Sequence, residues 1–497
     1  MEYFKSFPLF IILIPFMASF SMPLVKNEKT AKTISLITSF VCLALSAFTF
    51  FYVITNGAFK YDMGHFKAPL GIELKVGIFE SVMVSVFMFV TFSVIAHSVC
   101  NSQNDMTSKK VPIYYLLLNV FSASICGITL TNDIFNAFVF IEVSTIAACG
   151  MIVVKDKEEN ILAAIKYLVY SSLGSGLVLM GIAFIYSITG NLNMDFINME
   201  LSKVYMEYDK VVMISLALFT FGIGIKGAMF PFYVWLPDAH SSSTDSTSAI
   251  ISAVGLKGPV ILLIKVFYTV FGAYILRQSS VLDMVLALGA TGMIMGSVFA
   301  IFQNNIKKMV AYSSVAQMGY IFLGIGLGSV AGLTASAFHI ITHALTKSLL
   351  FLSVGTMIKR RNTYLIGDMS ALGKNMPLTL GVFSIGVFSM VGIPILPGFI
   401  TKWNLSMASI ESGKGFMVAA IILSSLLNCI YYLPVVINGY FKKGAEHSDN
   451  AGVEKNVDKE KLLTMAPSLL LAGAAIAVGI TSGKIIEVLT LAFENTM

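Results

Sequence analysis

Long apolar segments, separated by short polar connections, run through almost the whole chain. About twenty consecutive apolar residues in a helix cross the hydrocarbon core of a bilayer. The pattern therefore predicts an all-α integral membrane protein with about fourteen transmembrane helices. The predicted spans are 7–25, 33–54, 76–99, 111–131, 134–154, 161–188, 211–233, 248–275, 282–303, 310–330, 333–357, 378–400, 415–441 and 463–482.

The lysines and arginines of the connections are distributed unevenly between the two membrane faces. Connections after odd-numbered spans hold eighteen of them, and connections after even-numbered spans hold seven. Because basic loops are retained in the cytoplasm, this bias predicts that both termini lie outside it. The polar stretch 442–461 is then the longest cytoplasmic loop, and 462–497 forms a C-terminal helix and tail.

The spans also suggest an internal repeat. After three N-terminal helices in 1–110, five spans fall in 111–275 and five more in 276–441. Five is an odd number, so the second block enters the membrane from the opposite side. This arrangement predicts two inverted five-helix repeats, which are common among transporters and are often accompanied by broken helices.

Composition supports the membrane assignment and excludes a soluble enzyme. The mean hydropathy is +0.82 and charged residues make up 12% of the chain, against roughly 25% in soluble domains. The net charge of +6 comes with lysines in the connections, which suit a lipid surface better than a nucleic acid. The predicted environment is therefore the bilayer, and no nucleic-acid partner is expected.

Ionisable residues inside the predicted spans are the main candidates for function, because hydrocarbon excludes charge. They are Glu142, Lys166, Lys226, Lys257 and Lys402. Glycines or prolines stand beside the last three lysines, where an interrupted helix frees backbone groups to bind water or an ion. The lysines at 226 and 402 occupy the fourth span of each block, so the two halves carry matching sites.

Three further titratable residues line up in the eleventh span. His339, His343 and Lys347 are spaced i, i+4, i+8, so they share one helix face. Histidine titrates near neutral pH, and lysines, histidines and a glutamate linked by water could exchange protons. The His-x-x-x-His spacing lacks a third ligand, and no cofactor motif is present, so neither a metal nor a cofactor is expected.

Simpler explanations exist for several of these residues. Lysines near span ends can extend to the membrane surface, which is an equal alternative for Lys166, Lys265 and Lys347. His240 could cap a loop, and His339 taken alone could be a packing residue. Glu142 could be a structural partner of a lysine.

Four segments resemble a known superfamily. "KGAMFPFYVWLPDAH", "IKKMVAYSSVAQMGY", "HALTKSLLFLSVG" and "GIPILPGFITKWNL" are similar, in this order, to the antiporter-like subunits of respiratory complex I, Mrp cation/proton antiporters and membrane-bound hydrogenases. The resemblance covers roughly residues 111–441 and is closest to the Mrp D type. It implies a prokaryotic cell membrane and a multi-subunit assembly whose partners are other membrane subunits.

The resemblance also implies roles for individual residues. Glu142 matches the glutamate that pairs with a lysine, here Lys226, and Lys257 matches the central lysine of the broken eighth helix. The eleventh-span row matches a relay, Lys402 a terminal lysine, and His240 a loop histidine. Together they imply a water-linked chain of charges along the membrane midplane.

One stretch departs from the family pattern. The family usually has prolines before the eighth helix, whereas this chain has Ser243, Thr244, Asp245 and Ser246. Asp245 either adds a carboxylate at the mouth of a half-channel or caps the helix, and capping is the favoured interpretation.

The leading hypothesis is an ion-translocating subunit that moves protons alone or in exchange for sodium. The chain has no nucleotide loop, flavin fingerprint or cluster-ligand pattern, so we expect no catalytic centre of its own and place any redox chemistry in partner subunits. The alternatives are a stand-alone transporter of an organic solute and a structural scaffold subunit. A solute transporter would need a roomy central site rather than a file of lysines.

Overall fold

The computed structural model describes residues 2–101, 106–442 and 462–494. The predicted loop 442–461 lies outside the described residues except for its first residue. The first half contains α1 Phe7–Ser21, α2 Glu28–Asn56, α3 Ile78–Asn101, α4 Val111–Leu130, α5 Ile134–Val153, α6 Glu158–Thr189, α7 Met194–Val204, α8 Asp209–Lys226, α9 Leu236–Ser242, α10 Asp245–Ile250, α11 Lys257–Lys265 and α12 Gly272–Gln278. The second contains α13 Val281–Ile301, α14 Ile306–Gly326, α15 Val330–Arg361, α16 Leu372–Asn375, α17 Pro377–Val391, α18 Pro397–Glu411, α19 Met417–Phe441, α20 Leu462–Ile480 and α21 Ser482–Glu494.

Two elements do not follow the all-helical, membrane-crossing prediction. After α2 the chain forms an antiparallel hairpin of β1 Phe59–Asp62 and β2 Glu73–Val76. The short helix α7, between α6 and α8, has one apolar side that buries Met194, Ile197 and Leu201. A search for runs of about twenty apolar residues misses such short elements, which lie in the connections.

The protein is predominantly helical and crosses the membrane many times. In the described residues, eleven helices are long and apolar enough to cross a bilayer, or twelve if the bent pair α20 and α21 counts as one span. The axes of that pair differ by 75°. The predicted span 378–400 divides into α17 and α18, and the predicted span 211–233 ends at Lys226.

The helix predicted for 248–275 is interrupted. Five-residue-spaced hydrogen bonds form two π-helical segments, Ile251–Gly255 and Val266–Phe271, on either side of α11. Such π-helical turns are rare and are frequent at functional sites, because they release or redirect backbone carbonyls. Lys257 therefore begins a short regular helix between two irregular turns.

The centre of the bundle is formed by α14 and α15. The most apolar window of α15 is completely buried, and that of α14 is 94% buried. The first two helices are only one-third buried, and their exposed side chains include Phe20, Phe40 and Phe51. The titratable face of α15 thus lies in the protein interior and away from lipid.

Candidate functional site

An ion pair near the middle of α5 and at the end of α8 forms one end of the site. The Lys226 ammonium lies 3.4 Å from Glu142 Oε1 and donates a hydrogen bond of 2.8 Å to Thr145 Oγ1. The Ser175 hydroxyl also donates to Glu142 Oε1. The lysine side chain is 4% exposed and the glutamate 33% exposed. Because Lys226 is the last residue of α8, its charge also lies at the negative end of that helix.

A small cavity lies between this pair and the irregular helix. Its volume is about 20 Å³, and its lining includes Lys226, Thr145, Trp235, Gly255 and Leu256. A volume above roughly 10–15 Å³ accommodates one water molecule when polar partners are present. The cavity thus reaches from the ion pair to the turn that precedes Lys257.

Two lysines at the centre of the bundle are completely buried, Lys257 and Lys347. The Lys257 ammonium donates to the Ser252 carbonyl, within the first π-helical turn. Lys347 donates to the Val310 carbonyl at 2.8 Å and also to the Ser313 hydroxyl. Neither side chain extends to the membrane surface, so the surface-reaching alternative is wrong for Lys347.

The hydrogen-bond partners of these lysines are neutral oxygen atoms. In the described chain, no carboxylate forms an ion pair with Lys257, Lys347 or Lys402. A charged ammonium without a counter-ion is costly to bury. Carbonyl and hydroxyl oxygens accept hydrogen bonds from a neutral amine as well as from an ammonium. These sites can therefore hold lysine in either protonation state.

Aromatic rings connect the α15 histidines to Lys402. The His339 and His343 rings are nearly parallel, with centroids 6.0 Å apart. Tyr320 lies 5.5 Å from His339 on one side, and the Lys402 ammonium lies 5.4 Å from the Tyr320 ring centroid. The predicted spacing thus does place the histidines side by side, and Tyr320 links them to the next lysine.

Lys402 lies where two helices meet. Its ammonium donates to the Met390 and Val391 carbonyls, at 2.9 and 2.8 Å, and these are the last carbonyls of α17. The last carbonyls of a helix have no partner within it and carry partial negative charge. Gly392 follows in a left-handed conformation with φ of 98°, and its missing side chain leaves room for the lysine.

His240 lies in α9 and is completely buried. Its ring packs 4.9 Å from Phe351, so it does not cap a loop. Within the described residues, both ring nitrogens of His240 and His343 lack a hydrogen-bond partner. Buried polar atoms of this kind are rare unless water or an ion binds them.

The central residues lie within electrostatic range of one another. His343 lies close enough to Lys257, Lys347, His339 and His240 to interact with them electrostatically, and His339 lies close enough to Lys402. The structure therefore brings most of the predicted residues into one arrangement, which we call the buried row. Its members are Glu142, Lys226, Lys257, His343, Lys347, His339 and Lys402.

Lys166 lies outside the buried row. It forms an ion pair of 2.7 Å with Asp238, and both side chains are more than 30% exposed. Its ammonium therefore lies at the protein surface, which agrees with the simpler alternative. Exposed pairs of this kind contribute about 0–1 kcal/mol to stability.

Lys265 is also buried. Its ammonium donates to the Thr129 and Thr131 carbonyls, at 2.9 and 2.7 Å, near the end of α4. Glu80 is 3.9 Å away. The surface-reaching alternative is wrong here too, because backbone carbonyls hold the side chain inside the protein.

A charged network near the end of α4 connects the β-hairpin to α7. Asp195 accepts hydrogen bonds from Lys60 and Lys75, at 2.7 and 2.8 Å, and from Asn132 at 3.0 Å. Partial burial opposes ionisation of Asp195, but the hydrogen bonds from the two lysines outweigh it and lower its pKa to about 2. The network fixes the hairpin against the connection between α4 and α5.

Asp245 is not the helix cap that the sequence favoured. The cap of α10 is Thr244, whose side chain accepts from the Thr247 amide. Asp245 instead lies between two lysines that are distant in the chain, 3.1 Å from Lys307 and 3.4 Å from Lys359. The carboxylate therefore joins α10 to α14 and α15.

Several residues of the site, among them Thr145, Ser313 and Tyr320, are not among those predicted from the sequence. Thr145 lies three residues after Glu142, on the same helix face, and this spacing could have revealed it. Ser313 and Tyr320 belong to a segment that carried the family resemblance, but neither ionises readily at neutral pH. A search restricted to charged groups and histidines passes over such hydroxyl partners.

Comparison with known proteins identifies relatives along nearly the whole chain. The family described as NADH:quinone oxidoreductase/Mrp antiporter, TM matches residues 131–428. The chain is 31% identical over 438 residues to NADH-quinone oxidoreductase subunit N of Desulforudis audaxviator, covering 88% of this chain and 86% of that protein. It is 28% identical over 484 residues to the inferred antiporter subunit mnhD2 of Staphylococcus aureus, covering 97% and 94%.

Solved structures agree on the fold. A chain of the membrane-bound sulfane sulfur reductase, an archaeal respiratory membrane complex, superposes with a TM-score of 0.86 at 27% identity, covering 97% of this chain and 96% of that one. A chain of the Mrp complex from Dietzia sp. DQ12-45-1b superposes with a TM-score of 0.89 at 23% identity, covering 100% and 98%. At that lower identity the likeness concerns the fold alone.

Proposed function

The chain belongs to the NADH:quinone oxidoreductase/Mrp antiporter family of membrane proteins, and from that premise we propose that it moves protons across a prokaryotic cell membrane as one subunit of a larger complex. Other membrane subunits are its partners, as the multi-subunit assemblies of its structural relatives indicate. We further propose that the protons travel along the buried row, either alone or in exchange for sodium.

The chemistry of the buried row is the main support for proton transport. Titratable side chains follow one another from Glu142 and Lys226, through Lys257 and the α15 residues, to Lys402. The lysines beyond the first pair bond to carbonyl and hydroxyl oxygens. These acceptors allow a lysine to gain or lose a proton without leaving a partner unsatisfied.

Water completes the connection in this proposal. The cavity of about 20 Å³ beside Lys226 accommodates one water molecule. The unpartnered ring nitrogens of His240 and His343 provide four further positions where water can bind. Water between these groups would give protons a hydrogen-bonded route that side chains alone do not provide.

The ion pair at the first end supplies a control point. A charge arriving near Glu142, which is one-third exposed, would compete for the carboxylate and loosen its hold on Lys226. The freed ammonium charge would then repel protons farther along the buried row. Charges on neighbouring members of the buried row interact strongly, because the effective dielectric constant of the protein interior is low.

The alternatives fit less well. Sites for organic solutes usually enclose about 300–1,000 Å³, whereas the cavity that touches Lys226 is about 20 Å³. A scaffold subunit has no need for several buried lysines held by neutral oxygens, because buried charges cost stability. Both alternatives predict transport that does not depend on the protonation of these lysines.

The finer architecture forms part of the proposal. We place fourteen spans in the membrane, counting α8 as one and the broken pair α17 and α18 as one. The blocks 111–275 and 276–441 then form the inverted repeats, and both termini lie outside the cytoplasm. The positions of two lysines support the correspondence between the two blocks. Lys226 is the last residue of α8 and Lys402 binds the end of α17, so each block holds a lysine at a helix break.

Flux measurements on the assembled complex in proteoliposomes test this function. Lys226→Ala and Glu142→Gln should assemble normally and lose proton transport. Lys166→Gln is a matched control, because it removes a lysine that lies in a helix but outside the buried row. Normal assembly with full transport in both of the first two variants would overturn the proposal.

A further inference from the structure

Two cavities lie along one face of α6, on the side away from the buried row. The first is open, has a volume of about 640 Å³, and lies near the beginning of the helix. Four lysines line it: Lys155, Lys157, Lys166 and Lys308. The connections that hold most of these lysines belong to the face predicted to be cytoplasmic.

The first cavity is positively charged overall. Its acidic residues are Glu159 and Asp238. Lys155 is engaged by the Ser243 carbonyl and interacts with Asp245, so the other three lysines and the two carboxylates leave a formal charge of +1. Asp238 is shared by Lys166 at 2.7 Å and Lys308 at 3.6 Å. In the part of the chain that the structure describes, Lys157 takes part in no ion pair. A concave basic surface of this kind attracts an anion.

The second cavity is an apolar groove of about 420 Å³. Tyr170, Leu173 and Leu177 of α6 form one wall, and Leu218 and Phe221 of α8 belong to the other. The two helices approach closely beneath the groove, because Gly174 lies against the Gly222 carbonyl with no room for a side chain. The groove therefore has a solid floor and opens toward lipid.

Helical spacing connects the two cavities. Leu162 and Lys166 line the first, and Tyr170, Leu173 and Leu177 line the second. Steps of four, four, three and four residues keep these side chains on one stripe of the helix. At 1.5 Å per residue the stripe is about 22 Å long, which matches a phosphate group followed by most of an acyl chain.

We propose that α6 and α8 carry a binding site for an anionic phospholipid. Its phosphate lies among the lysines of the first cavity, and one acyl chain lies in the apolar groove. Lysine side chains at a membrane surface commonly reach phosphate groups in this way. A neighbouring protein helix would fill the groove but would leave the basic cavity without a counter-charge, so the lipid fits both cavities better.

This site is separate from ion translocation. None of the residues that line the groove belongs to the buried row, and the lipid would act on the α6–α8 contact from outside. A negative result for lipid binding would therefore not contradict proton transport along the buried row. A negative result for proton transport would not contradict the lipid site.

Lipid retention by the purified complex tests the proposal. The complex is washed in detergent, supplied with equal amounts of phosphatidylglycerol and phosphatidylcholine, and washed again before mass spectrometry of the bound lipid. The intact complex should retain phosphatidylglycerol in preference. Lys157→Gln should weaken that retention about fivefold, and Leu173→Trp should weaken it by filling the groove, since this side chain is 58% exposed and tolerates a larger one.

Lys109→Gln is the matched control. This lysine is exposed, precedes α4 and does not line the cavity, so its loss should leave retention unchanged. Equal retention of both lipids, or no loss in either site variant, would overturn the proposal. If glycerol 3-phosphate alone displaces the retained phosphatidylglycerol, the site binds a free phosphate group and the lipid proposal is wrong. Cross-linking of the Leu173→Cys variant to a neighbouring subunit would overturn the lipid proposal and identify a protein contact.

Discussion

Gly392→Ala tests whether the position of Lys402 matters for transport, without removing any titratable group. A side chain at 392 would have its Cβ 3.2 Å from Lys402 Cδ and 3.3 Å from its Nζ. The ammonium is held by two carbonyls at 2.9 and 2.8 Å, so the shift of a few tenths of an ångström that makes room for the methyl group weakens these hydrogen bonds. A hydrogen bond to a charged group contributes about 1.5–3 kcal/mol.

The backbone adds a second cost, which a control can remove. The φ of Gly392 is 98°, and an L-residue in the left-handed region costs about 1–2 kcal/mol. Gly413 has a φ of 72°, and a Cβ at this position would meet no other atom within 4 Å. Gly413→Ala therefore carries a similar backbone cost with no effect on Lys402.

Initial rates of proton flux in proteoliposomes, normalised to assembled complex, separate the two effects. We expect Gly392→Ala to slow transport about tenfold or more, since about 1.4 kcal/mol corresponds to a factor of ten. Gly413→Ala should lower thermal stability and keep its transport rate. Equal rates in the two variants would refute the assignment of Lys402 to the proton route.

Three further predictions concern other contacts. Thr145→Val removes the hydroxyl that binds Lys226 and should slow proton flux about tenfold; a normal rate in the same assay would contradict this. Asp245→Asn leaves Lys307 buried without its counter-charge and should cost about 3–5 kcal/mol, seen as a lower unfolding temperature of the purified complex; an unchanged temperature would count against it. Because the pKa of Asp195 is lowered to about 2, its carboxylate contributes stability above about pH 4 and loses it as the pH falls toward 2. The deficit of Asp195→Asn, about 1 kcal/mol at pH 7 after solvent screening, should therefore vanish in acid, and a deficit independent of pH would be inconsistent with the ion pair.

Hydrophobic patterning predicts the membrane-crossing helices well, because hydrocarbon imposes one simple requirement on every span. It does not predict where a helix breaks. The interruption between α17 and α18 depends on Gly392 and the residues around it, and a run such as 378–400 remains apolar across the break. The hairpin and α7 also escape, because their stability comes from ion pairs such as Lys60 with Asp195 and from packing.

The candidate site was predictable where chemistry is unusual for its surroundings. A charge such as Lys257 in an apolar helix is conspicuous in the sequence, and so is the spacing of His339 and His343. The hydrogen-bond partners of the buried lysines could not be predicted from the sequence, because every residue has a backbone carbonyl such as that of Ser252. Asp245 shows the limit most clearly: its lysine partners are 62 and 114 residues away in the chain, and only the fold brings them together.

We propose that protons pass along the buried row, and Lys257 lies in its middle. Lys257→Met keeps the length and apolar stem of the side chain and removes only the group that carries a proton. Proton flux through the assembled complex in proteoliposomes, driven by an imposed pH gradient, measures the consequence directly. We expect normal assembly with transport abolished, and transport at the unmodified rate would contradict the account.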